Sequence, residues 1–440
     1  MKTIVTFSTV NIGVSIVNTT FLAFILFCYT DWALIGLASG PLLVGTALLV
    51  GRLVDAVVNP IVGSTSDNLR SRFGRRKPFI FIGLGPLILL FILIWSPPVA
   101  LGQTAVIIFL FITIPLFDAI FTFVVVPYYA LLPEISTTPE ERVRLSMYGN
   151  IFAIIGTAIG FMLGPILFDN LGYPTGAIIL AIMVFGTVAV ALLPTLKERP
   201  EFQKIEKITT KDAFKEALKN KPYQIYLVNQ MAIQFAFRVL SAGMVYIATS
   251  VIGLDFDQSI IVSAGYLVGS LGSFYFWKSW SLKVGKRKAY LYSMVIFSIP
   301  LAATWLLLVL HGTGAIIFGI IFAIGAGIGT GGMWIFPPLF VADIVDDEER
   351  RIGLRREAVY YGMQEMTEKI TISIAIFLEG LILSIFLINT IPDPEHPGSF
   401  LNYYNPVGPL LTVGGLGLIA MIIGIISFLK YPKKLGDKQV

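Results

Sequence analysis

Apolar residues run along this chain in long blocks, not in alternation, and the blocks share a length. Twelve of them lie near residues 5–29, 34–63, 79–97, 104–132, 145–168, 174–195, 224–251, 258–277, 289–310, 314–341, 357–387 and 408–429. Each holds about 20 largely apolar positions, the length at which a helix crosses a bilayer core. The pattern predicts an all-α membrane protein of twelve transmembrane helices. The longest polar segment, from Lys197 to Gln224, divides the spans six and six. The expected organisation is therefore a six-helix bundle over 1–196, a linker over 197–223 and a second six-helix bundle over 224–440. Thr209 followed by Asp212 has the spacing of a helix cap, Phe214 and Leu218 lie one turn apart, and Pro222 closes the stretch. A short amphipathic helix on the membrane surface is expected there.

The two halves repeat. Arg72-Phe-Gly-Arg-Arg-Lys-Pro-Phe79, between spans 2 and 3, is echoed 211 residues later by Lys283-Val-Gly-Lys-Arg-Lys-Ala-Tyr290, between spans 8 and 9. Pro133-Glu-Ile135 after span 4 is echoed by Ala342-Asp-Ile344 after span 10, at an offset of 209. Two echoes at nearly one offset argue for duplication of a six-helix unit, as in transporters of the major facilitator type, with a substrate site near the midplane between the halves.

Composition explains why lipid is the solvent. Hydrophobic residues make up 56% of the chain and charged residues 13%, with mean hydropathy +0.81, far from the balance of a soluble domain. Met1 and Lys2 lead directly into the first apolar run without a small-residue cleavage site, so a retained first helix is expected. The net charge of +5 reflects topology, not nucleic-acid binding. With the amino terminus inside, 29 of the 32 basic residues fall on inner segments, Arg52, Arg238 and Lys369 fall inside spans, and the outer loops hold none. Both termini are thus expected in the cytoplasm, in a multi-pass protein of the cell (plasma) membrane.

Several chemistries are excluded by what is missing. One cysteine, Cys28, and two isolated histidines, His311 and His396, offer no disulfide framework, metal cluster or catalytic triad, so no metal, cofactor or enzymatic activity is expected. Gly327-Ile-Gly-Thr-Gly-Gly332 spells a dinucleotide motif but lies mid-span with no preceding strand, which reads as close helix packing. There is no GxxxxGK[ST] sequence for ATP hydrolysis and no re-entrant segment for an ion channel.

Ionisable residues inside spans carry the functional signal, because each costs at least ~2.5 kcal/mol to insert and faces a partner or a cavity. They are Arg52 and Asp55 in span 2, Asp118 in span 4, Arg238 in span 7, and Glu365, Glu368, Lys369 and Glu379 in span 11. Arg52 and Asp55, three residues apart, suit either an ion pair along one helix or a transport pathway. Asp118 has only apolar neighbours in sequence. It reads either as the proton-coupling group, since a carboxylate out of water gives up its charge readily, or as one half of a salt bridge with Arg238 or Lys369. Trp334 reads as core or as an aromatic platform for a sugar face.

The inner loop Ser66-Asp-Asn-Leu-Arg-Ser-Arg-Phe-Gly-Arg-Arg-Lys-Pro-Phe-Ile80 resembles that of plant sucrose/proton symporters, and Gly353-Leu-Arg-Arg-Glu-Ala-Val-Tyr-Tyr-Gly362 resembles its counterpart in melibiose permease relatives. With Val126-Pro-Tyr-Tyr-Ala-Leu-Leu-Pro-Glu134, Val341-Ala-Asp-Ile-Val-Asp346 and Asn220-Lys-Pro-Tyr223, the resemblance to the glycoside-pentoside-hexuronide:cation symporter family spans nearly the whole chain. It implies a cation-coupled sugar or glycoside symporter of the major facilitator fold, working as a monomer by alternating access, with H+ or Na+ as coupling ion. A lipid or lysolipid carrier of the same superfamily is the alternative.

Position by position, Asp55 matches one of two cation-site aspartates of the melibiose branch, and Asn59 stands where the second would be. Asp118 matches in spacing the span 4 aspartate of the sucrose branch, which favours protons. Trp334, Gln364 and Lys369 match positions lining the melibiose-type cavity, and Tyr129 stands where that branch has tryptophan. The galactoside-holding carboxylates are replaced by Ser15 and Val125, and their companion arginine by Asn150. Arg238 is an added cation that would pair with Asp118 or Glu379, or contact an acidic sugar. At the inner face the resemblance implies gating groups: Arg52, Asp67, the cluster containing Arg75 and Arg76 braced against Glu134, the second-half cluster Lys283 to Lys288 braced against Asp343, and Arg355 with Arg356.

Overall fold

The computed structural model describes residues 2–30, 37, 39–69, 76–131, 139–192, 218–352, 357–392 and 400–432. Among them, eleven helices are long and apolar enough to cross a membrane, and a twelfth, shorter apolar helix runs over Tyr173–Ala189. By contacts between residues the chain divides into two compact units. One is Met1–Ile205 with Phe256–Ile260 and Asn389–Asn402, and the other is Glu206–Asp255, Ile261–Ile388 and Tyr403–Val440. The surface helix expected in the linker lies, with Thr209, Asp212 and Phe214, outside the described residues.

In the first unit, span 2 (Gly40–Asn68) packs on span 4 (Gln103–Ala130), span 3 (Lys77–Ile94) lies on the other flank of span 4, and span 1 (Val10–Cys28) packs on span 5 (Pro139–Leu171) and span 6 (Tyr173–Leu192). In the second unit, span 7 (Lys221–Tyr246) lies against span 11 (Glu357–Phe386) and the last helix, Leu418–Leu429, while span 9 (Lys286–Ala303) packs on span 10 (Thr313–Ile335).

Local sequence accounts for the joints. Asn220 caps span 7, its side chain accepting the Tyr223 N–H at 3.3 Å, with Pro222 in the first turn, where a missing N–H is harmless. Gly285 joins span 8 (Ile260–Val284) to span 9 in a single residue at φ +84°, ψ 148°, a conformation open to glycine and to almost nothing else. The glycine shared by the two basic loop motifs is thereby explained in the second half.

Span 10, expected as one run to residue 341, ends at Ile335, and a separate helix, Pro337–Ile352, begins after Phe336. Pro337 and Pro338 supply no N–H to continue the ladder. Span 7 loosens into a π-type turn over Ile247–Ile252, and span 12 begins with another over Leu411–Gly417. Between spans 11 and 12 two strands, Leu387–Pro392 and Phe400–Tyr404, pair with each other.

On span 2 the exposed stripe is apolar and the carboxylate is buried. On span 2, Leu53, Val57 and Ile61, one turn apart, are exposed at 58%, 63% and 58%, whereas Asp55 is 1% exposed. Lipid is the medium that suits such an outer stripe. The Gly327–Gly332 run is a packing device: a Cβ on Gly329 would meet Phe297 at 2.5 Å, and one on Gly327 would strike the Tyr266 backbone, so span 10 approaches spans 8 and 9 without side chains between.

Candidate functional site: buried charges in the two units

At Gly51, span 2 comes close to span 4. A Cβ there would lie 2.6 Å from Asp118 Oδ2 and 2.9 Å from Ile114 Cγ2. Because the backbone of span 2 reaches Asp118, the next residue, Arg52, can close on it: Arg52 Nη1 lies 3.2 Å from Asp118 Oδ1, with the carboxylate side chain 1% exposed. One turn further along both helices, Thr122 donates to Asp55 Oδ1. Two rungs, Arg52–Asp118 and Thr122–Asp55, thus bridge one pair of helices. Asn18 and Phe21 of span 1, with Arg52, Phe117, Asp118 and Phe121, line a cavity of about 10 Å³ beside the ion pair, room for about one water molecule.

Arg52 pairs across to span 4 and not along its own helix with Asp55, because the close approach at Gly51 brings Asp118 within reach. Asp118 thus has an ion-pair partner within its own unit. Asn59, one turn beyond Asp55, is half-buried. Tyr129 is 45% exposed and tilts against Tyr128, whose hydroxyl accepts from Asn11 Nδ2 at 2.9 Å. Asn150 is exposed on span 5.

In the second unit, Arg238 is buried and its Nη2 lies 3.2 Å from Ser241 Oγ. Its charge acts on Glu379, which is fully buried and has neither carboxylate oxygen hydrogen-bonded among the described residues. Glu379 is thus a carboxylate of the same unit that feels the Arg238 charge. Trp334 is 45% exposed, its ring edge-on to Phe237 at 5.6 Å, so it is not a core residue.

Gln364 sits in a chain of hydrogen bonds between spans 7 and 11. Tyr226 OH donates to Gln364 Oε1 at 3.0 Å, Gln364 Nε2 donates to Glu368 Oε1 at 2.7 Å, and Gln230 Nε2 reaches the same oxygen at 3.3 Å. Lys369 acts on Glu365, one turn back on the same helix. Among the described residues no group of three His, Cys, Asp or Glu side chains has the arrangement of a metal site.

At the ends of the second-unit helices, Lys286 forms an ion pair with Asp343 and lies 5.9 Å from the Phe340 ring centroid. Arg287 Nη2 donates at 2.9 Å to the Leu429 carbonyl, at the carboxyl end of the last helix, where a cation suits the helix dipole. Arg76 begins span 3. Arg75, Glu134, Arg355 and Arg356 lie outside the described residues, as does the side chain of Asp67.

Thr122, Gly51, Tyr226 and Gln230 were not singled out from sequence. Thr122 follows Asp118 by one turn, a spacing that marks one helix face. Nothing in the chain, however, states which helix that face meets.

The family profile described as MFS/sugar transport protein matches residues 6–401. The isoprimeverose transporter of Lactiplantibacillus pentosus is 23% identical, over 85% of this chain and 77% of the relative. The sodium-dependent lysophosphatidylcholine symporter 1-A of Danio rerio is likewise 23% identical, over 91% of this chain and 81% of its own. The crystal structure of a mutant of the nucleoside transporter NupG matches with a TM-score of 0.68, at 13% identity and 98% coverage of each chain, a likeness of fold alone. A profile match over nearly the whole chain, on a fold of transporter type built from membrane-spanning helices, identifies a multi-pass membrane transporter and not an enzyme: the chain belongs to the MFS/sugar transport protein family.

Proposed function

We propose that this protein is a proton-coupled sugar or glycoside symporter of the plasma membrane, working as a monomer by alternating access, with Asp118 as the group that binds the coupling proton. The observation that carries the reading is the Arg52–Asp118 pair beside a cavity that admits about one water. A buried ion pair holds two helices together while both members are charged, and removing one charge leaves the other uncompensated. Protonation of Asp118 from the cavity therefore loosens span 2 from span 4. A ligand shifts an equilibrium between two conformations only by its differential affinity for them, and a proton that breaks this pair has such a preference. Asp55, held by Thr122, is the neighbouring carboxylate through which sodium would act instead. The sugar assignment rests on the family match and on the relative named for isoprimeverose.

The test uses purified protein in liposomes with an internal pH dye and a panel of disaccharides, pentosides and hexuronides, at varied external sodium. Expected are internal acidification with one sugar and loss of uphill accumulation in Asp118→Asn, with gradient-independent exchange retained. Unchanged uphill transport in that variant would remove Asp118 from the coupling step, and sodium-dependent uptake without proton movement would transfer the role to Asp55. No sugar flux at all, together with movement of a lysophospholipid, would reassign the substrate to the class for which the Danio rerio relative is named.

A further inference from the structure

The chain of hydrogen bonds between spans 7 and 11 ends in acceptors with nothing to accept. Glu368 Oε1 takes two amide donors, from Gln364 and Gln230, while its other oxygen has no partner among the described residues. Gln230 is 5% exposed, and its carbonyl oxygen is buried without a hydrogen-bond partner among the described residues. Because the amide nitrogen of the same group is bonded to Glu368, that carbonyl oxygen lies within the same cluster. A half-buried carboxylate fixed by two donors, with a second acceptor beside it, is a pre-organised receiver of hydrogen-bond donors. Tyr226 completes the fixation by donating to Gln364, which turns the Gln364 amide nitrogen toward Glu368.

The charges around Glu368 define what it receives. Glu365 and Lys369 share its helix. Tyr223 and Tyr226 of span 7 and Tyr290 of span 9 are within its electrostatic reach. By formal charge, and among the described residues, two carboxylates stand against one ammonium in this cluster. A sugar carboxylate brought here meets like charge, whereas hydroxyl groups donate to Glu368 and to Gln230. Arg238, the residue that would attract an acidic sugar, is buried against Ser241 and beside Glu379.

From this geometry we infer that Glu368, held by Gln364 and Gln230, receives the sugar's hydroxyl groups in the second unit and restricts the protein to uncharged glycosides, rejecting hexuronides. The inference rests on the sugar-transport reading and adds the substrate's charge class.

The experiment is gradient-free exchange by the full chain in liposomes, using pairs of methyl glycosides that differ only at C6, hydroxymethyl against carboxylate. Wild type should exchange at least one neutral member and exclude its uronide counterpart. Glu368→Gln should raise KM for the neutral sugar on the order of ten-fold or more and narrow the discrimination against the uronide, because a charge-assisted acceptor and a like-charge barrier go together. Glu368→Asp, which keeps the charge but not the reach, should also lose affinity while still rejecting the uronide, and it carries the test if the Gln variant does not fold. Exchange of a uronide by wild type at the rate of its neutral partner overturns the inference and leaves the sugar reading standing. So does a Glu368→Gln variant with unaltered KM and selectivity. Exchange of no sugar by wild type overturns both, and is told apart because no wild-type substrate exists to compare.

Discussion

Both units set an arginine near a buried carboxylate, and they treat it differently. In the first, Arg52 closes on Asp118 at 3.2 Å beside a water-sized cavity. In the second, Arg238 turns to Ser241, and Glu379 lies fully buried with neither oxygen hydrogen-bonded among the described residues. A proton arriving at Asp118 breaks a contact that ties two helices together. A proton arriving at Glu379 breaks no hydrogen bond among the described residues. The comparison teaches that the same pair of residue types makes a mechanical element in one unit and only an electrostatic background in the other.

The sharpest way to break this contrast is to remove one partner on each side. Arg52→Ala leaves Asp118 buried and uncompensated and should lower stability by about 3–5 kcal/mol, read as thermal unfolding in detergent. Adding Asp118→Asn to that variant should restore most of the loss, since the stranded charge is gone. Glu379→Gln breaks no hydrogen bond among the described residues and leaves Arg238 its contact with Ser241, so it should cost less than Arg52→Ala. Equal losses in Arg52→Ala and Glu379→Gln would mean that the two pairs are alike after all.

Each carboxylate also has a glycine against it, which sharpens the contrast at smaller amplitude. Gly51→Ala puts a methyl group 2.6 Å from Asp118 Oδ2 and 2.9 Å from Ile114, so the ion pair and the helix contact must both yield, at about 2–3 kcal/mol, with a fall in uphill transport. Gly243→Ala strikes the Val413 side chain first and comes only to 3.3 Å of Glu379 Oε1. It should perturb packing and leave proton coupling intact. A coupling defect in Gly243→Ala as large as in Gly51→Ala would give Glu379 a share in the switch.

The spans were legible because the bilayer imposes a length that soluble packing does not, and eleven of the twelve runs return as helices long enough to cross. The basic loop echoes were legible as repeats, yet the reason for their glycine appears only with Gly285 at φ +84°. Partners were less legible. Arg52 and Asp55 are neighbours on one helix, so sequence offers that pair first, but helix contacts are set by surfaces. Gly51 was the residue that could have pointed to span 4, and one glycine among 41 carries little signal. Glu368 announced itself as a charge inside a span. Its two amide donors come from positions 4 and 138 residues away, and the second is invisible to any local pattern.

The inner-end ion pairs extend the comparison to its smallest expected effect. Lys286 and Asp343 are 8% and 14% exposed in their pair, and the repeat maps them onto Arg75 and Glu134, which lie outside the described residues. Asp343→Asn should cost about 1–2 kcal/mol, as for a hydrogen bond between charged groups. The exchanged pair, Lys286→Asp with Asp343→Lys, should recover part of it, because opposite charges still face each other. Double-mutant cycles on Lys286/Asp343 and on Arg75/Glu134 should then give coupling of the same sign and similar size. Such a match would make the braces the symmetric part of the molecule and leave the asymmetry to Arg52 and Arg238. Absence of coupling between Arg75 and Glu134 would instead extend the difference between the units to the loops, and the six-helix duplication would have kept its glycine and its basic residues without keeping their contacts.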